Sequence, residues 1–326
     1  MNKKYLTAGF VLAVVLVAGF LFWKKNNQAA VLKNGSKTQS LDISQVVPYT
    51  APKTPVKHIF IVLEENKDYA AVVGNTKDMP YWNSLSGTYA SADNYYANTH
   101  PSVGNYFMLT AGKIITNNDG YAKTIDDDNI VRQLMAAGKT WKEYSEDLPA
   151  VGYTGGNVGN YSQHHNPLSY FSDVRNNPQQ AQNLVPFSQL ATDITNNTLP
   201  EYAFIVPNMI NDAHSCPASG PCNELAAADK WLKEKIDPLV KSPEFSMPGG
   251  GLLILTFDEA DASDKTNGGG RIPWVLVGPD VKKGYVSHTF YQQENTLRFM
   301  AEEAGLTTFP GAAANVSSMQ EFMQGN

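Results

Sequence analysis

Nine residues, Asn98-Thr99-His100-Pro101-Ser102-Val103-Gly104-Asn105-Tyr106, set a hydroxyl, an imidazole and a carboxamide among two backbone breakers. An apolar run, Phe107-Met108-Leu109, follows directly. This layout suits a nucleophile, Ser102, at the tip of a turn with a helix starting just behind it. A helix N-terminus offers free backbone N–H groups and the positive end of the dipole, which is where phosphate binds. A plainer reading competes, with Ser102 as an ordinary N-cap and Tyr106 and Leu109 in a core. These nine residues do not choose between the two.

Other chemically capable residues follow apolar strands. Ile59-Phe60-Ile61-Val62-Leu63 ends in Glu64-Glu65-Asn66, and Leu252 to Phe257 ends in Asp258-Glu259. Tyr202 to Val206 runs into Pro207-Asn208-Met209-Ile210-Asn211-Asp212-Ala213-His214. In open α/β sheets the ligand site lies beyond the carboxyl ends of the strands. One such cluster is commonly a helix cap; three on one rim, with the Ser102 turn, indicate a site. Oxygen-rich clusters hold hard or borderline divalent cations. A cation there would lower the pKa of a serine hydroxyl and make it a nucleophile near neutral pH. His100, His164, His165, His214 and His288 all fall in loops. They could serve as ligands, phosphate donors or general acids, against the plainer reading of hydrogen-bonded loop histidines. His58 opens a strand and reads as structural.

The elements that must position these groups alternate. Strands are predicted at Lys57–Leu63, Tyr89–Ala97, Lys139–Tyr144, Tyr202–Val206, Leu252–Phe257 and Ile272–Val277. Helices are predicted at Ser102–Ala111, Asn129–Ala137, Phe187–Thr195, Glu224–Val240 and Gln292–Ala304. Fully apolar strands separated by helices indicate a mainly parallel sheet covered on both faces, an α/β doubly wound fold. The runs Gly249-Gly250-Gly251 and Gly268-Gly269-Gly270 read as loops around the sheet edge.

The N-terminus of this 326-residue chain differs from the rest. Leu6 to Trp23 carries no charge and is flanked by Lys3-Lys4 and Lys24-Lys25. At ~1.5 Å per residue it matches the hydrocarbon core of a bilayer. Its bulky end, Phe20-Leu21-Phe22-Trp23, favours an uncleaved signal anchor, while Asn27-Gln28-Ala29-Ala30 keeps a cleaved peptide open. The expected organisation is an anchor over residues 1–25, a polar linker over 26–55 and a catalytic domain over 56–326. That domain is expected outside the cytoplasm, membrane-anchored or secreted. The chain's two cysteines, Cys216 and Cys222, enclose Pro217, Gly220 and Pro221. A local disulfide suits an oxidising compartment, with a metal pair as the weaker alternative. Without residues 1–25 the chain keeps 21 basic and 31 acidic residues, a net of −10. Such an acidic domain has no general footprint for nucleic acid, and an anionic substrate would need a bound cation or local positive groups.

Five segments in order resemble a known family: Glu65-Asn66-Lys67-Asp68-Tyr69, Thr-His-Pro-Ser-x-x-Asn-Tyr at 99–106, His-Asn-Pro-Leu at 165–168, Pro-Asn-x-x-Asn-Asp-x-His at 207–214, and Thr-Phe-Asp-Glu at 256–259. They resemble the bacterial and fungal phosphoesterases that include acid phosphatases and phospholipases C, within the alkaline-phosphatase-like superfamily. The resemblance spans about residues 55–305. It implies Ser102 as nucleophile, Asn105 on the transferred phosphate, and Glu65, Asn66, Asp258 and Glu259 as metal-site positions. It also implies His165 and His214 as catalytic histidines. Asp212 and His288 match less closely, as a further ligand and a substrate contact. Position 104 is Gly where many relatives have Pro, and 68 is Asp where Ser is frequent. Position 208 is Asn where distant members place an acidic ligand, so one metal is expected rather than two. The implied activity is a metal-dependent phosphomonoesterase working through a phosphoserine on small phosphate esters or phospholipid headgroups. A phospholipase C-type phosphodiesterase is the alternative, for which this chain is short. A catalytically silent binding protein would have lost the nucleophile or acids, and none is missing.

Overall fold

His58–Glu64 is an unbroken buried strand, and it lies at the middle of the sheet. The computed structural model describes residues 55–325. The expected anchor, residues 1–25, and residues 26–54 of the expected linker lie outside the described residues. Among the described residues no helix is long and apolar enough to cross a membrane.

The strands are β1 (His58–Glu64), β2 (Ala90–Ala92), β3 (Tyr95–Tyr96), β4 (Trp141–Ser145), β5 (Leu184–Pro186), β6 (Tyr202–Val206), β7 (Gly251–Phe257), β8 (Trp274–Val277), β9 (Tyr285–Ser287) and β10 (Tyr291–Gln292). Eight form one sheet in the order β5-β4-β6-β1-β7-β8-β2-β9, and β3 pairs with β10. Every pair in the large sheet is parallel except those made by β8, which opposes both β7 and β2. Residues of both parities in β1, β6 and β7 are buried, so both faces are covered, as mainly parallel sheets require. The α/β doubly wound architecture is therefore present.

Three segments depart from the sequence expectation. Tyr89–Ala97 is two short strands in different sheets, because the backbone turns at Asp93-Asn94 to bond Ser287 and His288. The last apolar strand, β8, runs antiparallel. Residues 258–273 contain no helix, and a parallel return needs a crossover of that kind. Glu224–Val240 is not one regular helix. Its α-helix ends at Trp231, and Leu232–Ile236 widens into a π turn in which the Asp237 N–H reaches the Leu232 carbonyl. Pro238 follows directly and has no N–H to continue the ordinary ladder.

The helix behind Ser102 spans Val103–Ala111 and is buried at every position. Gly112 ends it at φ 63°, donating its N–H to the Met108 carbonyl at 3.0 Å. Phe107 packs edge-on against Tyr170 and Phe171, with ring centroids 5.3 and 6.2 Å away. Truncating a buried phenylalanine of this kind costs about 3–5 kcal/mol. The helix also packs on Gln293–Glu303, whose start is closed by a reciprocal cap between Gln292 and Asn295. Ser102 is thus seated on a rigid, fully buried element.

Candidate active site

Ser102 occupies the N-cap position, yet its side chain makes no cap hydrogen bond. Its buried hydroxyl donates to Glu65 Oε2 at 3.1 Å. The N-cap reading of the nine-residue turn is thus not met. The hydroxyl is aimed at an acid beyond the end of β1, and the helix is not capped by it.

Three strand ends converge around that contact. The Asp258 N–H donates to the Glu64 carbonyl at 2.9 Å, carrying the β1–β7 ladder past the strand ends. The Glu65 N–H donates to the Asp212 carbonyl at 2.7 Å, which fastens the loop after β6 to the end of β1. Asn66 adopts φ 58°, and its backbone N–H donates to Asp258 Oδ1 at 2.9 Å. Its side chain donates to Glu65 Oε2 at 3.0 Å. Tyr106, one helical turn beyond Ser102, gives its hydroxyl to Glu65 Oε1 and stacks on the His165 ring, centroids 5.2 Å apart. His165 lies between two acids, with Nε2 3.4 Å from Glu65 Oε1 and Nδ1 3.5 Å from Asp212 Oδ2.

Glu259, next along the rim, faces the other side of the turn. Its oxygens lie 3.2 Å from His100 Nδ1 and 3.3 Å from Asn105 Nδ2. Asn105 is fully buried, and its carboxamide is completely engaged. Its oxygen accepts from the Asn98 and Thr99 N–H groups, and its nitrogen also donates to the Thr99 carbonyl at 2.9 Å. The residue expected to touch phosphate therefore shapes the turn that presents Ser102. His214 is half-buried, its ring 6.1 Å from that of His165 and its Nδ1 2.7 Å from Ser215 Oγ. The Cys216–Cys222 disulfide closes the loop just beyond it.

His288 is not brought into this group. It is exposed, pairs with Asp93 at 2.7 Å and follows β9, four strand positions from β1 or about 19 Å at ordinary strand spacing. Its pairing with Asp93 holds it beside β2.

Electrostatically the site holds too much buried acid. Burial, then Asp258 and Asp212, push the Glu65 carboxyl well above the usual range. Burial pushes Asp258 and Asp212 up to about 7, and burial followed by Asp258 pushes Glu259 up to about 9. Burial and the neighbouring His214 push His165 down to about 3. Asp258 Oδ2, Asp212 Oδ2 and His165 Nε2 are buried without a hydrogen-bond partner. Buried charges of this kind require a counter-ion or a proton. Oxygen donors, like-charged crowding and orphaned oxygens all suit a hard divalent cation, so the residues present fit the expected metal. Among the described residues no three His, Cys, Asp or Glu side chains already form a cage, because Glu65 is turned toward Ser102, Tyr106 and Asn66.

Two contributions were not legible in the sequence. Tyr106 read as core. Gly268-Gly269-Gly270, read as an edge loop, instead packs under the Ser102 turn, with Ala97 and Gly269–Gly270 exchanging backbone hydrogen bonds. A Cβ at Gly268 would lie 2.1 Å from the Asn98 carbonyl oxygen, so only glycine permits this approach. The run of three glycines was the available signal.

With this geometry in view, similarity to known proteins is informative. Residues 75–307 match the Phosphoesterase family. The chain belongs to that family. It is 33% identical over 253 residues to a probable acid phosphatase of Kluyveromyces lactis, covering 74% of this chain and 56% of the yeast protein. It is 33% identical over 251 residues to a phosphatidylinositol-3-phosphatase of Mycobacterium tuberculosis, covering 76% and 77% respectively. This phosphoesterase thus spans little more than half of its yeast relative and about three quarters of the mycobacterial one. Its fold is shared with an alkaline phosphatase superfamily protein from Vibrio parahaemolyticus, at TM-score 0.56, 12% identity and coverage of 81% and 72%.

Proposed function

We propose that this phosphoesterase is a metal-dependent phosphomonoesterase of acid-phosphatase type, with Ser102 as nucleophile. The observation that carries the reading is the Ser102 hydroxyl donating to Glu65 instead of capping its helix. In the proposed reaction Ser102 Oγ forms a bond to phosphorus as its proton passes toward the Glu65 carboxylate. The ester P–O bond on the opposite side breaks, and the departing alkoxide takes a proton from His214. His165 stays neutral at its depressed pKa and acts as a fixed partner between Glu65 and Asp212 rather than as the acid. Water then hydrolyses the phosphoserine and restores Ser102.

A divalent cation held among Glu65, Asp258, Asp212 and Glu259 would neutralise the phosphate and favour ionised Ser102. Asn66 would contribute chiefly by fixing Asp258 and Glu65 through its backbone and side-chain N–H groups. Positioning and electrostatic stabilisation supply most of the acceleration in phosphoryl transfer. Small phosphate esters and phosphorylated lipid headgroups are the substrate classes, in keeping with the names of the two relatives. The disulfide supports a location outside the cytoplasm. Ser102→Ala should remove at least 99% of the hydrolysis of a chromogenic phosphomonoester while leaving the melting curve intact. Residual activity above a few per cent would overturn Ser102 as nucleophile.

A further inference from the structure

The loop after helix Val103–Ala111 folds back over the start of that helix. Asn117 Nδ2 donates to Thr99 Oγ1 at 2.9 Å, and the Val103 N–H donates to Asp119 Oδ1 at 3.2 Å. Gly104 makes room for this strap. A Cβ there would meet Asn117 Oδ1 at 2.4 Å and Thr99 Cγ2 at 2.5 Å. The position that departs from the family pattern is therefore the one that lets the strap close.

The Val103 N–H directly follows Ser102 in the first turn, where helical N–H groups lack the usual partner four residues back; the next two go to the Pro101 and Ser102 carbonyls at 3.4 and 2.9 Å. Such groups ordinarily receive an anion. Here a carboxylate of the chain already occupies one of them. Asp119 is half-buried, and its charge reaches into the site, where it works to raise both Glu259 and His164. The ion pairs made by the cluster acids among the described residues are all to histidines, so Asp119 adds one more negative charge to an acid-rich mouth.

We propose that Asp119 is a specificity-determining residue, a built-in anion on the N–H beside Ser102 that disfavours doubly charged phosphate groups relative to singly charged ones. The inference rests on Ser102 as the nucleophile. A phosphomonoester above its second pKa of about 6 is a dianion, whereas a diester carries one charge. Either one, bound beside Ser102, would lie close to the Asp119 carboxylate on the Val103 N–H, and the dianion meets the larger repulsion. Removing one charge at about 6 Å changes affinity for a dianion by roughly tenfold, and for a monoanion by about threefold, at a water-like dielectric.

Asp119→Asn keeps an oxygen for the Val103 N–H while removing the charge. The test compares p-nitrophenyl phosphate with its methyl diester at pH about 7.5 and a saturating divalent cation. The variant should raise kcat/KM for the monoester about tenfold, through KM, and raise that for the diester about threefold or less. Equal changes for the two esters, or a fall for the monoester, would overturn the proposal. A second measurement does not depend on turnover. Inorganic phosphate titrated calorimetrically into Ser102→Ala should bind about tenfold more tightly once Asp119→Asn is added, and unchanged or weaker binding overturns the inference. Gly104→Ala, which forces the strap away, should move phosphate affinity in the same direction. If the wild-type protein hydrolyses neither ester with any divalent cation, the catalytic reading fails, while the phosphate titrations still decide whether Asp119 repels the anion.

Discussion

Ser102 and Glu65 lie 37 residues apart, and the hydroxyl of one is directed at the carboxylate of the other at 3.1 Å. That contact joins the helix start to the end of the central strand. It also brings the proposed nucleophile and its proposed proton acceptor into one buried space. Tyr106 approaches the same carboxylate from the next helical turn, so Glu65 is held from both sides.

Tyr106→Phe removes one hydroxyl and keeps the stack on His165. A hydrogen bond to a charged group contributes about 1.5–3 kcal/mol, so kcat/KM should fall by roughly tenfold to a hundredfold. The same loss should lower the melting temperature by several degrees. Steady-state kinetics with a chromogenic monoester provide the check, and undiminished kcat/KM would remove Tyr106 from the machinery.

Asn105 should prove a positioning residue. Asn105→Ala leaves the Asn98 and Thr99 N–H groups without their buried acceptor, at a cost of roughly 2–4 kcal/mol and most of the activity. Asn105→Asp should be worse, because it sets a carboxylate against the Thr99 carbonyl and Glu259. Denaturant unfolding of both variants gives the order, and a more stable Asp variant would contradict this role.

Metal removal is expected to affect stability as well as turnover. Chelation should abolish hydrolysis, and restoring a divalent cation to about a hundred times its Kd should stabilise the fold by about 2.7 kcal/mol. Thermal unfolding with and without the cation measures this directly. An unchanged melting temperature together with full activity in excess chelator would exclude a bound cation from the mechanism.

The pH profile of stability should be limited on both sides. Glu143 is fully buried and pushed up to about 8 by burial, so the folded state holds a proton that the unfolded chain has released. Its contribution is intact below pH about 4.5 and is lost as pH rises through about 8, with an upper bound of roughly 5 kcal/mol. Glu143→Gln should therefore gain on the wild type at pH 9 and match it near pH 4.5. His164 and His165, both pushed down to about 3, act in the opposite sense. The unfolded chain binds their protons first, so stability falls as pH drops below about 6.5. Urea midpoints across pH 4.5–9 test both limbs, and a Glu143→Gln advantage that does not grow with pH would refute the alkaline one.

Much of this was readable because the chain repeats one rule. Apolar runs such as Ile59–Leu63 and Leu252–Phe257 announce buried strands, and Glu65, Asp212 and Asp258 follow such runs at the expected rim. The direction of β8 was not readable, since an apolar strand looks the same in either orientation. His288 was misplaced because a loop position just before the last helix carries no information about which edge of the sheet it reaches. Asn105 was assigned by residue type, whereas its role depends on which backbone groups the folded turn leaves unpaired. Tyr106 was hidden for the same reason. At helical spacing an aromatic residue reads as packing until its hydroxyl finds a carboxylate.

The reversal of β8 gives the site a design freedom. Residues 258–273 join two adjacent antiparallel strands, so their ends are anchored side by side while the middle reaches the Ser102 turn through His100 and Asp264. Lengthening a loop between fixed ends costs little, growing only with the logarithm of its length. The stretch between Glu259 and Gly268 can therefore be extended without reopening the sheet, a variable wall between fixed acids and fixed glycines through which one scaffold could be fitted to differently shaped esters.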